Sequence, residues 1–202
     1  MRVSSPKREL RHHQLLEAAL RVFARDGFDG ASVASIADEA GVAKGSVYLY
    51  FDSKEALAGD LVRHIFTQDG NRDDLTASDR PLERILEFCT QQESRILSLG
   101  EFAGIVLHMW GHVGKSENNQ IARGIRQITS ESMFLIETLL ERAKQSGLLP
   151  ADVAVGPSAR ALLALCYGLI QQRVTLEGIG AVQAISCADA MRVYLRGLGA
   201  RL

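Results

Sequence analysis

Lys44, Ser46, Tyr48, Tyr50 and Lys54 bring ammonium and hydroxyl donors into one short stretch of a chain of 202 residues. Such donors bind phosphate oxygens and the edges of bases. Gly45 stands among them, and a glycine inside a helix costs about 0.8–1 kcal/mol relative to alanine. Two readings explain it. A helix backbone that approaches a nucleic-acid duplex closely has no room for a Cβ, and the free N–H groups of its first turn point at phosphate. Alternatively, the glycine lets this helix pack on a neighbour. The donors around Gly45 favour the duplex.

Two short helices must hold these residues. Val33, Ile36, Ala37 and Ala40 recur at the three- and four-residue steps of one helical face, which Ser32 can N-cap. Gly41 ends that helix, because glycine adopts a left-handed C′ conformation without a Cβ penalty. After Val42 and Ala43 the chain re-enters helix from Lys44 to about Phe51. Val47 and Phe51 then face inward, and Lys44, Ser46, Tyr48 and Tyr50 face outward. Ala43 leads into this helix and joins the candidate contacts. Before the pair, Leu16, Ala19, Leu20 and Phe23 predict a helix from about Lys7 to Arg25, with Gly27 just past its end. After it, Asp52 and Glu55 read as a capping box opening a helix carried forward by Leu57, Leu61 and Ile65. That helix runs toward Gln68 and links two halves of the chain.

The stretches LLEAALRVFARDGFDGASV, SIADEAGVAKGSVYLYF and DSKEAL follow one another without insertion. Over residues 15–57 the chain resembles the DNA-binding domain of the TetR family of transcriptional regulators. Ala31-Ser32 departs from a pattern in which many relatives carry threonines, but Ser32 can still cap and donate to phosphate. The resemblance implies a homodimer, in most cases a repressor, that a small molecule releases from DNA. Contacts to bases or neighbouring phosphates fall to Lys44, Gly45, Ser46 and Tyr48; Ser32, Tyr50 and Lys54 position the DNA backbone. The remaining 145 or so residues carry no such shared motif.

A hydrophobic content of 47% suits a folded core, and the net charge of −1 hides an uneven distribution. Arg2, Lys7, Arg8 and Arg11 face only Glu9 near the N-terminus, so a basic arm is expected to reach phosphate or a minor groove. No apolar run approaches the roughly 18 residues needed to span a bilayer. The first residues lack the apolar region of a secretory signal, so a cytoplasmic protein with no membrane partner is expected. Cys89, Cys166 and Cys187 form no CxxC pair; reduced, partly buried thiols are expected. His108 and His112 are four apart, a spacing able to hold a metal, but no further ligand accompanies them. Neither metal nor cofactor is expected.

The predicted architecture is all-α. About nine helices form an N-terminal three-helix helix-turn-helix DNA-binding domain, residues 1–54, and a larger C-terminal ligand-binding and dimerisation domain, residues 55–202. Pro81 opens a helix at 80–98, and further helices are predicted at 101–112, 118–146, 157–177 and 182–198. Phe88, Cys89, Phe102, Val106, Met109, Trp110, Met133 and Tyr167 are candidates for an apolar effector pocket, with Glu93, His108, Gln127, Tyr167 and Gln171 as polar groups that could orient the ligand. Small residues and a periodic stripe mark Ala161, Leu165, Gly168, Met191, Tyr194, Leu195 and Leu198 as the expected dimer interface. The partners expected are a double-stranded DNA operator, a small-molecule effector and a second copy of the chain. Two other classes compete with this reading. An architectural DNA-binding protein without effector would want more positive charge than the first 54 residues carry, and an enzyme would want a set of nucleophile, base and orienting group that is not evident.

Overall fold

Apolar residues at three- and four-residue spacing recur in every described segment, and each such segment is helical. The computed structural model describes residues 6–67, 79–110, 120–176 and 185–201. Among these residues are nine α-helices and no strand: α1 (Pro6–Gly30), α2 (Val33–Glu39), α3 (Lys44–Val47), α4 (Lys54–Thr67), α5 (Pro81–Ser98), α6 (Ala103–Trp110), α7 (Gln120–Gln145), α8 (Val155–Leu176) and α9 (Cys187–Gly197). A 3-10 turn, Gly100–Phe102, precedes α6. None of these helices is long and apolar enough to cross a membrane. The chain divides into two compact units, residues 1–67 with 100–127, and residues 68–99 with 128–202.

In the first unit α1 is the hub, packing against α2, α4, α6 and the 3-10 turn. Leu15, Leu16, Ala19, Val22 and Phe23 are its buried stripe. The helix outlasts its expected end at Arg25. It kinks at Gly27, whose φ of 72° is open to glycine, and Phe28 beyond the kink folds back onto Phe23 with ring centroids 5.4 Å apart. Lys7 and Arg8 belong to α1 rather than to an extended arm, and Arg2 lies outside the described residues. Ser53, not Asp52, caps α4: its Oγ accepts from the Ala56 N–H at 3.0 Å. Leu57, Leu61 and Ile65 are buried as the four-residue spacing predicts.

The second unit is built on α5, α8 and α9 with the later part of α7. Glu93, 6% exposed, ties three helices together. Its Oε1 accepts from Arg173 of α8 at 2.7 Å, and its Oε2 accepts from the backbone N–H of Cys187 at the start of α9 at 3.2 Å. A buried carboxylate needs such partners, so Glu93 is not free to orient a ligand. Met191 and Leu195 are fully buried, both 0% exposed, and cannot form a surface between protomers. They belong to the protomer's own core because α9 is amphipathic and packs that stripe on α5 and α8. All three cysteines are buried. The Cys187 thiol donates to the Cys166 carbonyl, and hydrogen bonding to Cys166 together with burial pushes its pKa up. That is opposite to the low-pKa, accessible thiolate a redox sensor uses.

Histidines gather where α1 meets α4. His12 Nε2 lies 2.6 Å from Asp60 Oδ2, Asp60 also pairs with Arg63, and the His13 and His64 rings are 4.7 Å apart. Burial, with His13 and His12 nearby, holds His64 below the usual imidazole range. The unfolded chain therefore binds this proton more readily than the folded one. Its contribution to stability is intact above about pH 6.5 and is lost as pH falls through the lowered folded value. Urea midpoints should accordingly fall from pH 7.5 to 5.5, and fall less in His64→Gln; equal slopes in the two proteins would contradict this.

Candidate nucleic-acid interface

The candidate interface is built from α2, the turn after it and α3. Ser32 caps α2: its Oγ accepts from the Ser35 N–H at 3.0 Å, and Ser35 Oγ accepts in return from the Ser32 N–H at 3.0 Å. This is a capping box with serine in the place of the usual glutamate. Gly41, at φ 66°, closes the helix in a Schellman arrangement. The Gly41 N–H reaches the Asp38 carbonyl at 3.1 Å, and the Val42 N–H reaches the Ala37 carbonyl at 3.0 Å. Two orphan carbonyls are thereby satisfied, and the chain turns directly into α3.

α3 is shorter than the eight residues its apolar spacing predicts. Only Lys44–Val47 is α-helical. The Tyr50 N–H bonds to the Val47 carbonyl at 2.9 Å, an i−3 contact that tightens the last turn, and the Phe51 N–H reaches the same carbonyl at 3.0 Å. Val47 and Phe51 are buried as expected. Ala43, Lys44 and Gly45 are exposed, Ser46 and Tyr50 are half-buried, and Tyr48 is 48% exposed. A Cβ added to Gly45 would meet nothing within 4 Å, so packing on a neighbouring helix does not explain this glycine.

Leu49, 73% exposed, is a surface apolar residue the sequence reading missed. It sits between two tyrosines on the turn after α3, where its apolar side chain suits a thymine methyl. The signal was available, since Leu49 falls off the Val47–Phe51 face. Arg8 is also brought in, its guanidinium 5.7 Å from the Tyr50 ring centroid. Glu39 is turned aside: Arg21 and Arg25 hold it at 2.8 and 3.2 Å, and their hydrogen bonds keep its pKa low.

Lys54 requires correction. Its ammonium donates to the carbonyls of Phe28 at 2.7 Å, Ala31 at 2.9 Å and Asp29 at 3.4 Å, over the Phe28 ring. An ammonium has three donors, and all three serve the end of α1. Lys54 is an internal clamp, not a phosphate contact.

The remaining candidates separate. Phe88 and Cys89 of α5, Met133 of α7 and Tyr167 of α8 fall in the second unit, whereas Phe102 and Val106 fall in the first. Phe88, Cys89 and Val106 are buried; Phe102, Met133 and Tyr167 are half-buried. The Tyr167 hydroxyl lies 3.5 Å from Ser132 Oγ, and burial pushes its pKa up to about 12. Gln127 and Gln171 are exposed. The side chains of His108, Met109 and Trp110, and the whole of His112, lie outside the described residues. Ala161 is exposed, and Leu165, Gly168, Tyr194 and Leu198 are half-buried. No group of three or more potential metal ligands is present among the described residues.

Residues 15–61 match the family model of the bacterial regulatory proteins, tetR family. The chain carries the DNA-binding domain of the TetR family over those residues. It is a DNA-binding transcriptional regulator, and α2 and α3 are its helix-turn-helix. Its relatives include the HTH-type transcriptional repressor NicS of Pseudomonas putida, 27% identical over 83% of this chain and 79% of that protein. The fatty acid metabolism regulator protein of Bacillus subtilis is 26% identical, covering 82% of each. Among solved structures, the regulator FadR of Bacillus subtilis in complex with stearoyl-CoA shares the fold with a TM-score of 0.72 and 22% identity, over 92% of this chain and 96% of that one. SmeT, the repressor of the Stenotrophomonas maltophilia multidrug efflux pump SmeDEF, also gives 0.72 at 18% identity, over 92% and 89%.

The clamp predicts how Lys54→Ala fails. It removes the charged donor shared by the carbonyls of Phe28, Ala31 and Asp29 and should destabilise the fold by about 1–3 kcal/mol in urea denaturation. At temperatures where the variant stays folded, the salt dependence of DNA binding should be unchanged, since no phosphate contact is lost.

Proposed function

We propose that this regulator is a cytoplasmic homodimeric repressor that reads a palindromic operator through α3 and leaves it when a small molecule binds. The exposed run Ala43–Lys44–Gly45 on an otherwise packed helix pair carries this reading, with open space where a Gly45 side chain would stand. Lys44, Ser46 and Tyr48 contact bases and adjacent phosphates, Ser32 and Tyr50 contact the DNA backbone, and Leu49 offers an apolar contact. Dimer symmetry matches operator symmetry when the two reading helices stand about one helical turn, roughly 34 Å, apart.

The DNA-reading and effector parts are proposed as residues 1–54 and 55–202. For the protomer interface we retain Ala161, Leu165 and Gly168 on α8 and Tyr194 and Leu198 on α9, and replace the buried Met191 and Leu195 by Val193, which is 70% exposed. Gly168 fits a close helix approach, as an added Cβ there would meet nothing within 4 Å of its own chain.

For the effector, Gln92 is informative. It is 3% exposed and its Oε1 has no hydrogen-bond partner among the described residues, although buried acceptors are ordinarily satisfied. It lies on α5 one turn from Phe88 and Cys89. A mostly apolar ligand with a hydrogen-bond donor fits that environment, with Phe88, Met133 and Tyr167 as further contacts. The solved FadR of Bacillus subtilis, which shares this fold, is in complex with stearoyl-CoA, and this makes a long-chain acyl-CoA the first class to test.

Two outcomes are expected. Lys44→Ala and Tyr48→Ala each weaken operator binding by about 1–3 kcal/mol without changing the thermal midpoint. Gly45→Ala moves the two properties in opposite directions: the fold gains up to about 1 kcal/mol from helix propensity, while operator affinity falls because the new methyl stands between backbone and duplex. Gains in both would remove the close-approach reading. In a separate titration, stearoyl-CoA should displace the protein from a duplex selected out of a random pool. Demonstrated binding of stearoyl-CoA with operator affinity unchanged would overturn release by this class.

A further inference from the structure

Within the first unit α4 and α7 touch backbone to backbone at two glycines. A Cβ on Gly59 would lie 2.6 Å from the Gln120 carbonyl oxygen and 3.0 Å from its carbon; a Cβ on Gly124 would lie 2.7 Å from the Gly59 carbonyl oxygen. Packed helices are ordinarily held 8–10 Å apart by their side chains. Here neither side has one, and the obstructing atoms are backbone that no rotamer change can move. The contact is reciprocal, so a residue other than glycine at either position forces the two helices apart.

Beside this contact the helices do not pack. A cavity of about 260 Å³ opens there, lined by Tyr50, Phe51, Ala56, Arg63, Arg123 and Gln127 among others. A close touch at one point with open space alongside is the geometry of a pivot. Two features place it in control of DNA reading. Gly59 lies in the second turn of α4, six residues after the Ser53 cap, and the cavity wall includes Tyr50 and Phe51, the residues that end the α3 turn. On the other side, α7 is one uninterrupted helix from Gln120 to Gln145.

We propose that Gly59 and Gly124 are positioning residues for operator recognition, and that their crossing sets the place at which α4 holds the reading helix. A change in α7 then reaches α3 through this crossing, and the cavity gives the helices room to pivot. The inference rests on the dimeric regulator proposed above. In a dimer, a displaced α4 alters the separation of two reading helices while leaving the face of each one intact. It therefore affects a full palindrome and spares a single half-site.

The test compares wild type, Gly59→Ala and Gly124→Ala on three kinds of duplex: the selected palindrome, the same palindrome with its centre lengthened or shortened by one base pair, and an isolated half-site. Sedimentation and thermal midpoints check that the variants are folded and associated as wild type is. The alanine variants should bind the full palindrome about tenfold or more weakly, bind the half-site within about threefold of wild type, and rank the three spacings differently. Equal losses on palindrome and half-site, or an unchanged ranking of spacings, would overturn the proposal. Should the alanine variants fail to fold, Ala56→Leu fills the flanking cavity and leaves both glycines in place, with the same expectation and the same refutation. A wild-type protein with no preference for palindrome over half-site would instead defeat the dimeric reading itself.

Discussion

A single turn of helix does not hold itself together in water. Nucleating a helix fixes several residues for one hydrogen bond, and isolated helices shorter than about 12 residues are marginal. α3 is four residues long. Its position is therefore imposed from behind, by Val47 and Phe51 in the core of the first unit and by the Gly41 turn that delivers the chain to it. α2 is barely longer and leans on α1 in the same way. The proposed DNA-reading surface is a thin exposed layer over a core dominated by α1, and the Lys54 clamp ties α4 to the end of α1.

Electrostatics follow the same division between layer and support. A net charge of −1 is a poor guide to a DNA binder, because position decides which charges a duplex meets. Glu39 and Asp60 are each held by basic partners within the protein, which draws two acids toward the supporting helices. Lys44 stands exposed on α3. Lys54 shows the converse, a cation ten residues further on whose charge is directed entirely at backbone carbonyls.

Much of this was legible in the order of residues. Ser32, Gly41, Val47 and Phe51 determine a helix, its stop and the inward face of the next helix by local rules, and those rules held. The helices from α5 onward begin and end within a few residues of where Pro81, Gly147 and the apolar spacing place them. Elsewhere two local rules competed or local information ran out. Asp52 and Ser53 are both capable caps, and only the hydrogen bond to Ala56 selects Ser53. Met191 and Leu195 form an apolar stripe whose period is the same whether it faces its own protomer or another; the placement of α5 and α8 decides it. Gly59 and Gly124 look like weak points in two helices until the helices are seen to cross there. The effector candidates rest on apolar composition, which does not sort residues between units.

The burial of Cys89, Cys166 and Cys187 also has a practical side. Three raised or enclosed thiols in the interior of the second unit leave the native surface silent to mild alkylating reagents, which attack thiolate. A cysteine introduced on the outside, as in Leu49→Cys, would then be the site of selective modification without removal of the natural three. The protein is already a host for a fluorophore or spin label beside α3, so any movement of that helix can be followed in solution by spectroscopy.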